Sequence, residues 1–479
     1  MASLDKTSVR NQVEKLKNDF ERLRLDGKVT AEVQAIMGTM LMIIELILAI
    51  FLERTTKKNS GNSSIPPSQT EKDNSSITDT GSKAKGKKAE GATVRNRRTI
   101  ESVTIVPVDY CDKCGADLGQ VVCTHERRTK IDIVFEKVVE HVDAQIKQCP
   151  SCERIVKGKF PVDMPGPLQY GPGVQAFIIN LLACQMVALK RAQALVYSII
   201  DVVIAEATLL QFILRLHAAL ENWEAKATEK LLQEAVMHVD ETSLRVDKTN
   251  YWIHVHSGGG ITLKKLHRKR GKKAMEENDI LPRYTGKLIH DCWASYFSYE
   301  NCGHGLCGSH LLRELTFVVE TNRYRWARRM KRLLQATYKR VADGEKKCLD
   351  DQEYVRLQKC YRKILQLGSL EMPAIPEKVA GKRGRIAKSD AHNLLERLQK
   401  HEDSVLLFAK DPLVPFTNNR GERDLRMSKV KQKVSGCFRS EIYAHAYCRI
   451  TSYLQTMAYK GINPMIAIQM ALAGETGGE

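Results

Sequence analysis

At 479 residues, 43% of them hydrophobic and 27% charged, the chain is too long for one core and too apolar to be disordered throughout; about three or four domains are expected. Its 75 Lys+Arg against 56 Asp+Glu give a net charge of +19, which points to a polyanionic partner and salt-sensitive binding. The charge is clustered, with seven Lys/Arg and no acid from Lys264 to Lys273 and eight with no acid from Arg323 to Arg340. That argues against a merely soluble basic protein. Thirteen cysteines without a signal peptide suit a reducing, intracellular setting and make a poor disulfide framework.

Residues 1–56 read as helical. Val29, Val33, Ile36, Met40, Ile43, Ile47 and Ile50 alternate steps of three and four, a heptad seam that predicts an oligomerisation helix. Leu41, Met42, Ile44, Leu46 and Leu48 make its other faces apolar too. A membrane span is therefore the alternative, opposed by Glu45 in the middle of the run. Residues 57–104 are a linker rich in Ser, Asn and Pro and then in Lys and Arg, with nothing to bury, so disorder is expected.

Residues 105–160 hold Cys111-x2-Cys114 and Cys149-x2-Cys152. Two thiolate pairs on tight knuckles supply four soft ligands, so a structural Zn2+ site is expected, with Gly115 and Pro150 suited to the turns. The 34 residues between the pairs exceed compact ribbon spacing; EKVVEHVDAQI can bridge them as a hairpin or helix. Cys123 is read as a spare. Residues 161–235 look helical, and 186–215 weakly suggest a helix-turn-helix with no turn glycine to mark it.

Three short β-rich runs follow (EAVMHVDETSLRV, YWIHVHSG, GITLKKLHR), reading as a meander. KKAMEENDILPRY is helical and KLIHDC is a further apolar run. Cys302, His304, Cys307 and His310 invite a second metal site, but their spacing is cramped and the plainer reading is a strand end with incidental polar residues. His310 is still placed to reach a phosphate. Helices then run to about 410 and, after DPLVPFTNNRGERDLR, to the end. The fold class expected is α+β multidomain: an α/β core over 236–317, an all-helical insertion over 318–410, and a helical segment over 411–479.

Three acids are the candidate chemistry. Asp240 and Asp291 each end an apolar run, as at the exit of a buried strand, and Glu422 opens a basic helix with Asn418 or Asn419 as N-cap. Glu241 should face away from Asp240, because adjacent strand residues do. Glu422, Arg426, Lys429 and Lys433 fall on one helical face. Such carboxylates can hold two divalent ions on a phosphodiester. Three surface acids among 56 is the bland alternative, and their spacing alone is not specific.

The words around these acids add specificity. KNSGNSSIPPS, CDKCG…CPSC, HVDET, IHDCWASY, CGSHLLREL, NNRGERDLR and KVSGCFRS stand in one order along almost the whole chain. In them the chain resembles transposases of the insertion-sequence 66 family, which have an Asp-Asp-Glu site on a ribonuclease-H-like core. The resemblance implies that Asp240, Asp291 and Glu422 are catalytic and bind Mg2+ or Mn2+. It also implies that residues 105–160 are a zinc-finger-like DNA-binding domain, and that double-stranded DNA is cut at element ends and joined to a target. Lys264, Lys265, Arg268, Lys269, Arg270, His310, Arg313, Asn419, Arg420, Arg426, Lys429 and Lys433 are the DNA-contact candidates. A homo-oligomer acting near the nucleoid in a prokaryotic cytoplasm, with accessory proteins encoded by the same element, completes the expectation. A catalytically silent DNA-binding regulator is the alternative, and a membrane-tethered DNA-binding protein rests on residues 36–52 alone.

Overall fold

A computed structural model describes residues 6–56, 58–59, 61–63, 103–131, 135–375 and 388–476. The linker expected over 57–104 lies outside these, apart from a few residues at its ends. The chain divides into two compact units, one of Met1–Thr78, Ile213–Lys460 and Met470–Glu479, the other of Asp79–Phe212 and Gly461–Gln469.

The N-terminus is a helical hairpin of α1 (Lys6–Leu25) and α2 (Ala31–Thr55). Thr30 caps α2 by accepting from the Val33 N–H, and Lys17 pairs with Glu45 at 2.7 Å. The acid that interrupts the apolar run is thus neutralised within the hairpin. Leu41, Leu46, Ala49 and Leu52 are buried, whereas Val33, Ile36, Met40, Ile43 and Ile47, members of the heptad seam, are exposed. Among the described residues, α2 is the one helix long and apolar enough to cross a membrane.

In the second unit, the cysteine-rich segment contains one regular element, the hairpin of β1 (Ile146–Gln148) and β2 (Ile155–Lys157). The Cys149–Cys152 pair sits at its tip. Residues 136–146, expected to bridge the pairs as a hairpin or helix, are instead irregular up to Ile146, which opens β1. Then come α3 (Pro172–Ile179), a π-helical turn over Asn180–Cys184, α4 (Leu189–Ile200) and α5 (Glu206–Ala219). Asp201 takes the left-handed conformation, with φ of 50°, that ends α4, the position where a glycine was missing. Gln193 ties the following turn by donating to the Ile204 carbonyl at 2.7 Å.

Helix α6 (Glu221–Leu232) reads as part of the same helical run but packs in the first unit. Trp223 meets Tyr453 edge-on at 5.1 Å, and Glu224 bonds Lys265 and Arg449. Helical periodicity fixes which face is apolar, not which layer will cover it.

The meander forms as read: β3 (Val236–Val246), β4 (Thr249–Gly258) and β5 (Ile261–His267) are antiparallel neighbours. After α7 (Lys272–Glu277), the chain returns to the other side of β3 as β6 (Lys287–His290), parallel to it, followed by parallel β7 (Gly303–Leu306). The order is therefore β5-β4-β3-β6-β7. Parallel pairing requires such a crossover, and it makes β3 and β6 end in the same direction.

Five helices follow: α8 (Gly308–Asn322), α9 (Arg325–Asp343), α10 (Asp351–Glu371), α11 (Asp390–Lys400) and α12 (Glu402–Lys410). They share a core with Ile289 and Leu306 of the sheet, centred on Trp326, Tyr361, Leu394 and Phe408. Burying each such large side chain contributes about 1.5–3 kcal/mol. The chain then re-enters the sheet layer as α13 (Asn419–Ser435) and α14 (Glu441–Tyr459), with α15 (Pro464–Leu472) near the end. Leu425, Ala444, Tyr447 and Cys448 pack on Leu244, Tyr251, Ile253, Val255 and Leu266. Hydroxyls of α14 cover the edge strand: Thr456 and Ser452 accept from the N–H groups of Thr262 and Lys264 at 3.1 and 2.8 Å.

The N-terminal hairpin docks on the helical insertion, a contact that the sequence reading did not foresee. Buried Glu53 accepts from Asn322 Nδ2 at 2.8 Å and from the N–H groups of Asp390 and Ala391 at the start of α11. A carboxylate there meets the unsatisfied donors of a helix N-terminus. Arg10 donates to the Asn322 carbonyl, and Asn62 donates to Glu320 at 2.9 Å.

Candidate active site

Asp240 lies midway along β3, and Asp291 is the residue after β6. Parallel pairing of Met237 with Leu288 and His238 with Ile289 brings both acids to the same end of the sheet. Each is half-buried and locally braced: Asp240 accepts from the Glu241 N–H at 2.8 Å, and Asp291 from the Trp293 N–H at 3.0 Å.

Glu422 arrives on the first turn of α13, and that helix is pinned to the sheet at two points. At its start, Asn418 Nδ2 donates to the Val239 carbonyl at 2.7 Å, while its Oδ1 lies 2.9 Å from His238 Nδ1. Asn418 occupies the N-cap position but makes no side-chain cap bond. Its amide is committed to β3 instead. One turn further, fully buried Asp424 accepts from Ser257, Thr262, Gln455 and Tyr459 at 2.7–2.8 Å. Between these anchors, a Cβ at Gly421 would sit 3.1 Å from Asn418 Oδ1 and 3.4 Å from the Asp240 Cβ. The close approach of α13 to β3 therefore uses a residue without a side chain.

The electrostatics show acids crowded together. Burial first, then the Glu241 carboxylate, raises Asp240 to about 8, with Asp291 adding to the rise and Lys429 opposing it. Burial and Glu241 also push Asp291 up to about 6, against the cations Arg270 and Arg397. Glu241, expected to face away from Asp240, nevertheless acts on both aspartates and is held by Arg270 at 2.6 Å and the Tyr296 hydroxyl at 2.5 Å. Arg270 is in turn stacked near Trp293 and Trp252 at 4.3 and 5.0 Å. Carboxylates kept this close favour either a shared proton or a cation between them. Asp240, Asp291 and Glu422 offer oxygen ligands alone, which suits a hard divalent ion. Among the described residues, the set of three ligand atoms within 4.8 Å of one another is a different one, Cys307, His310 and Glu422.

The basic candidates divide. Lys264 is fully buried beneath α14, its ammonium 3.5 Å from Thr451 Oγ1, so a DNA contact from it is corrected to a core position. It belongs to an alternating strand, and half of any charge run on a strand covered by a helix must point inward. Lys265 is bound to Glu224, Arg268 to Tyr251 and Glu441, and Arg270 to Glu241. Arg420 donates to the Ile261 carbonyl and lies over Tyr459. Lys269, Asn419, Arg426, Lys429 and Lys433 are exposed. His310 and Arg313 are half-buried on α8. Burial first, then Arg313 and Lys429, lowers His310 to about 4, which keeps its imidazole neutral.

In the second unit both cysteine pairs form knuckles. Gly115, at φ of +71°, donates its N–H to the Cys111 carbonyl at 2.9 Å, and Glu153 donates to Cys149 at 2.8 Å. Backbone hydrogen bonds, led by Lys113 and Ser151 respectively, lower the Cys111 and Cys149 thiols. The four sulfurs are not gathered around one point among the described residues.

The sequence reading passed over Asn418 as a strand anchor, Asp424, and the partnership of Cys307 with Glu422. The signal in each case lies across 100 residues or more of chain.

A mixed sheet bringing acids together from two neighbouring parallel strands, with a third on a pinned helix, suits an enzyme that processes nucleic acid. The model of the family described as Transposase IS66 family matches residues 167–446, more than half of the chain. The chain belongs to that family, whose members are transposases acting on DNA. No curated protein matches it.

Proposed function

We propose that the chain cuts DNA at the ends of a mobile element and joins the freed 3′ hydroxyls to target DNA, using Asp240, Asp291 and Glu422. The observation that carries this reading is the pairing of β3 with β6, which puts Asp240 and Asp291 at one end of a β5-β4-β3-β6-β7 sheet. That order, with an antiparallel meander on one side and parallel strands on the other, is the expected layout of a ribonuclease-H-like core. Gly421 packs on Asp240, and Glu422 is its neighbour on the first turn of α13.

Mg2+ or Mn2+ fits the oxygen-only donor set, and when bound would activate the attacking oxygen and stabilise the leaving one. The chain's own part is positional. Asn418 and Asp424 hold α13 against the sheet, and Trp293 N–H and Glu241 N–H orient the two aspartates. Lys429 and Arg426 continue the face of Glu422 and would bind backbone phosphates. We further infer that the two knuckles of residues 105–160 take Zn2+ and bind DNA, and that the protein works in the cytoplasm as a homo-oligomer on two DNA ends, with accessory proteins of the same element.

The test is incubation of the full chain with duplexes carrying the DNA that flanks its coding region, in Mg2+, Mn2+ or EDTA. Nicking at one position, dependent on metal and lost in Asp240→Ala, Asp291→Ala and Glu422→Ala while DNA binding persists, is the expected result. Full cleavage by any of the three variants overturns the assignment.

A further inference from the structure

Cys307, His310 and Glu422 come together where two helices begin. Cys307 ends the β7 strand and precedes α8, and His310 follows it by one turn on the same face. Glu422 faces them from the first turn of α13, with Oε1 3.5 Å from His310 Nδ1 and 4.0 Å from Cys307 Sγ. All three ligand atoms lie within 4.8 Å of one another.

The Glu422–His310 separation is that of a tetrahedral ion, and Cys307 lies slightly further out. Bonds of about 2.0–2.3 Å to nitrogen, oxygen and sulfur place neighbouring ligands roughly 3.3–3.8 Å apart, so the observed separations need little closure. The ligands are also held in place. The Cys307 N–H donates to the His290 carbonyl at 2.9 Å, its sulfur accepts from the Asn418 N–H at 3.2 Å, and the His310 N–H donates back to the Cys307 carbonyl at 3.1 Å. His310 Nδ1 is buried and has no hydrogen-bond partner among the described residues. A buried nitrogen in that state lacks something, and an adjacent thiol and carboxylate say what.

We propose that Cys307, His310 and Glu422 form a three-ligand site for a thiophilic divalent cation such as Zn2+, distinct from the oxygen-only set of Asp240 and Asp291. A sulfur and an imidazole select a softer ion than Mg2+. Binding converts the Cys307 thiol to a thiolate and releases one proton to solvent, while neutral His310 donates its Nδ1 lone pair. Thiolate and carboxylate together cancel the ion's two charges, so the site ends neutral beside Lys429 and Arg313. The fourth position stays open, as in an exchangeable rather than a structural site. Because Glu422 is shared, an occupied site withdraws that carboxylate from Asp240 and Asp291. This consequence, unlike the binding itself, rests on the catalytic role proposed for Glu422, and it makes the enzyme sensitive to soft metals.

The experiment uses the metal-stripped full chain with its four knuckle cysteines intact, titrated with Co2+ and Zn2+ under reducing conditions. Wild type should take up one ion per chain more than Cys307→Ser, His310→Ala or Glu422→Gln, with visible absorption from a single-sulfur Co2+ site and one proton released at that step. Asp240→Asn should keep the extra ion. Equal stoichiometry in wild type and in folded His310→Ala overturns the proposal, as does loss of the ion in Asp240→Asn. His310→Ala and Glu422→Gln carry the comparison if circular dichroism shows Cys307→Ser unfolded. In cleavage assays, Zn2+ added over Mg2+ should inhibit wild type at least tenfold more strongly than Cys307→Ser, each relative to its own zinc-free rate. An extra ion bound by a chain whose metal-dependent cleavage survives Glu422→Gln overturns the catalytic role of Glu422 and leaves the site standing.

Discussion

The side-chain amide of Asn418 donates to the carbonyl of Val239, the residue immediately before Asp240, at 2.7 Å. One hydrogen bond thus fixes the start of the helix that carries Glu422 to the strand that carries Asp240.

Asn418→Ala removes that bond and strands two buried partners, the Val239 carbonyl and His238 Nδ1. Leaving buried polar groups unsatisfied costs about 1–3 kcal/mol each. Urea unfolding should show a loss of about 2–6 kcal/mol for the two groups together, and cleavage should fall by at least tenfold with DNA affinity kept. A variant as stable as wild type would show that the anchor is idle.

Asp240 should cost the metal-free protein stability as pH rises between about 6.5 and 8. An aspartate in the unfolded chain titrates near 3.9, whereas Asp240 in the fold is raised to about 8. Over that window the native state holds a proton that the unfolded state has released, so unfolding gains as pH rises, at a slope approaching about 1.4 kcal/mol per pH unit. Asp291, raised to about 6, acts the same way. His254, His256, His290 and His310, lowered by burial, and Lys264, lowered by burial to about 8, hold more protons in the unfolded chain and oppose it, so the net slope is set by their sum. Melting temperatures in EDTA should therefore rise more, or fall less, from pH 6.5 to 8 in Asp240→Asn than in wild type. An unchanged slope in that variant would place the proton elsewhere.

Lys264 and Lys429 should behave oppositely. Lys264→Met replaces a buried ammonium, whose acidity burial has shifted to about 8, with an apolar chain of similar length. Such replacements are often neutral or stabilising. DNA affinity and its salt dependence should not move. Lys429→Ala, on the exposed face of α13, should weaken binding and lower the salt slope by about 1. Filter-binding across a salt series reads both.

Glu53→Ala should release the N-terminal hairpin from the helical insertion. It leaves Asn322 and the first turn of α11 without their acceptor, at a cost of about 1–3 kcal/mol. Proteolysis near residue 56 should accelerate while the sheet core stays intact. Unchanged protection would mean that the apolar face of α2 alone holds the hairpin.

The meander, the second apolar run and the insertion were legible because each carries a local period: alternation in SLRV, and apolar residues at helical spacing around Leu311, Leu315 and Val318. Asp291 and Glu422 were legible because each stands at the end or start of such a segment, whereas Asp240, read as a strand exit, lies in the middle of β3. Burial of Lys264 was not, since nothing within its own strand says that α14 will cover it. Nor was the pairing of Cys307 with Glu422. The sequence reading saw Cys307 and His310 only beside Cys302 and His304, yet those two turn toward Tyr299, and the decisive partner comes from α13. Loop 201–205 is the reverse case: a turn glycine was sought, and Asp201 adopts the left-handed conformation itself.

The sheet is complete by Leu306, but the third acid waits until residue 422. A chain emerging from the ribosome therefore already carries Asp240 and Asp291 while the five helices of the insertion are still being made. Throughout that interval it has two of the three acids proposed to act together. Any product halted inside the insertion has every strand of the sheet but lacks Glu422 and, on the proposed reading, cannot cut DNA.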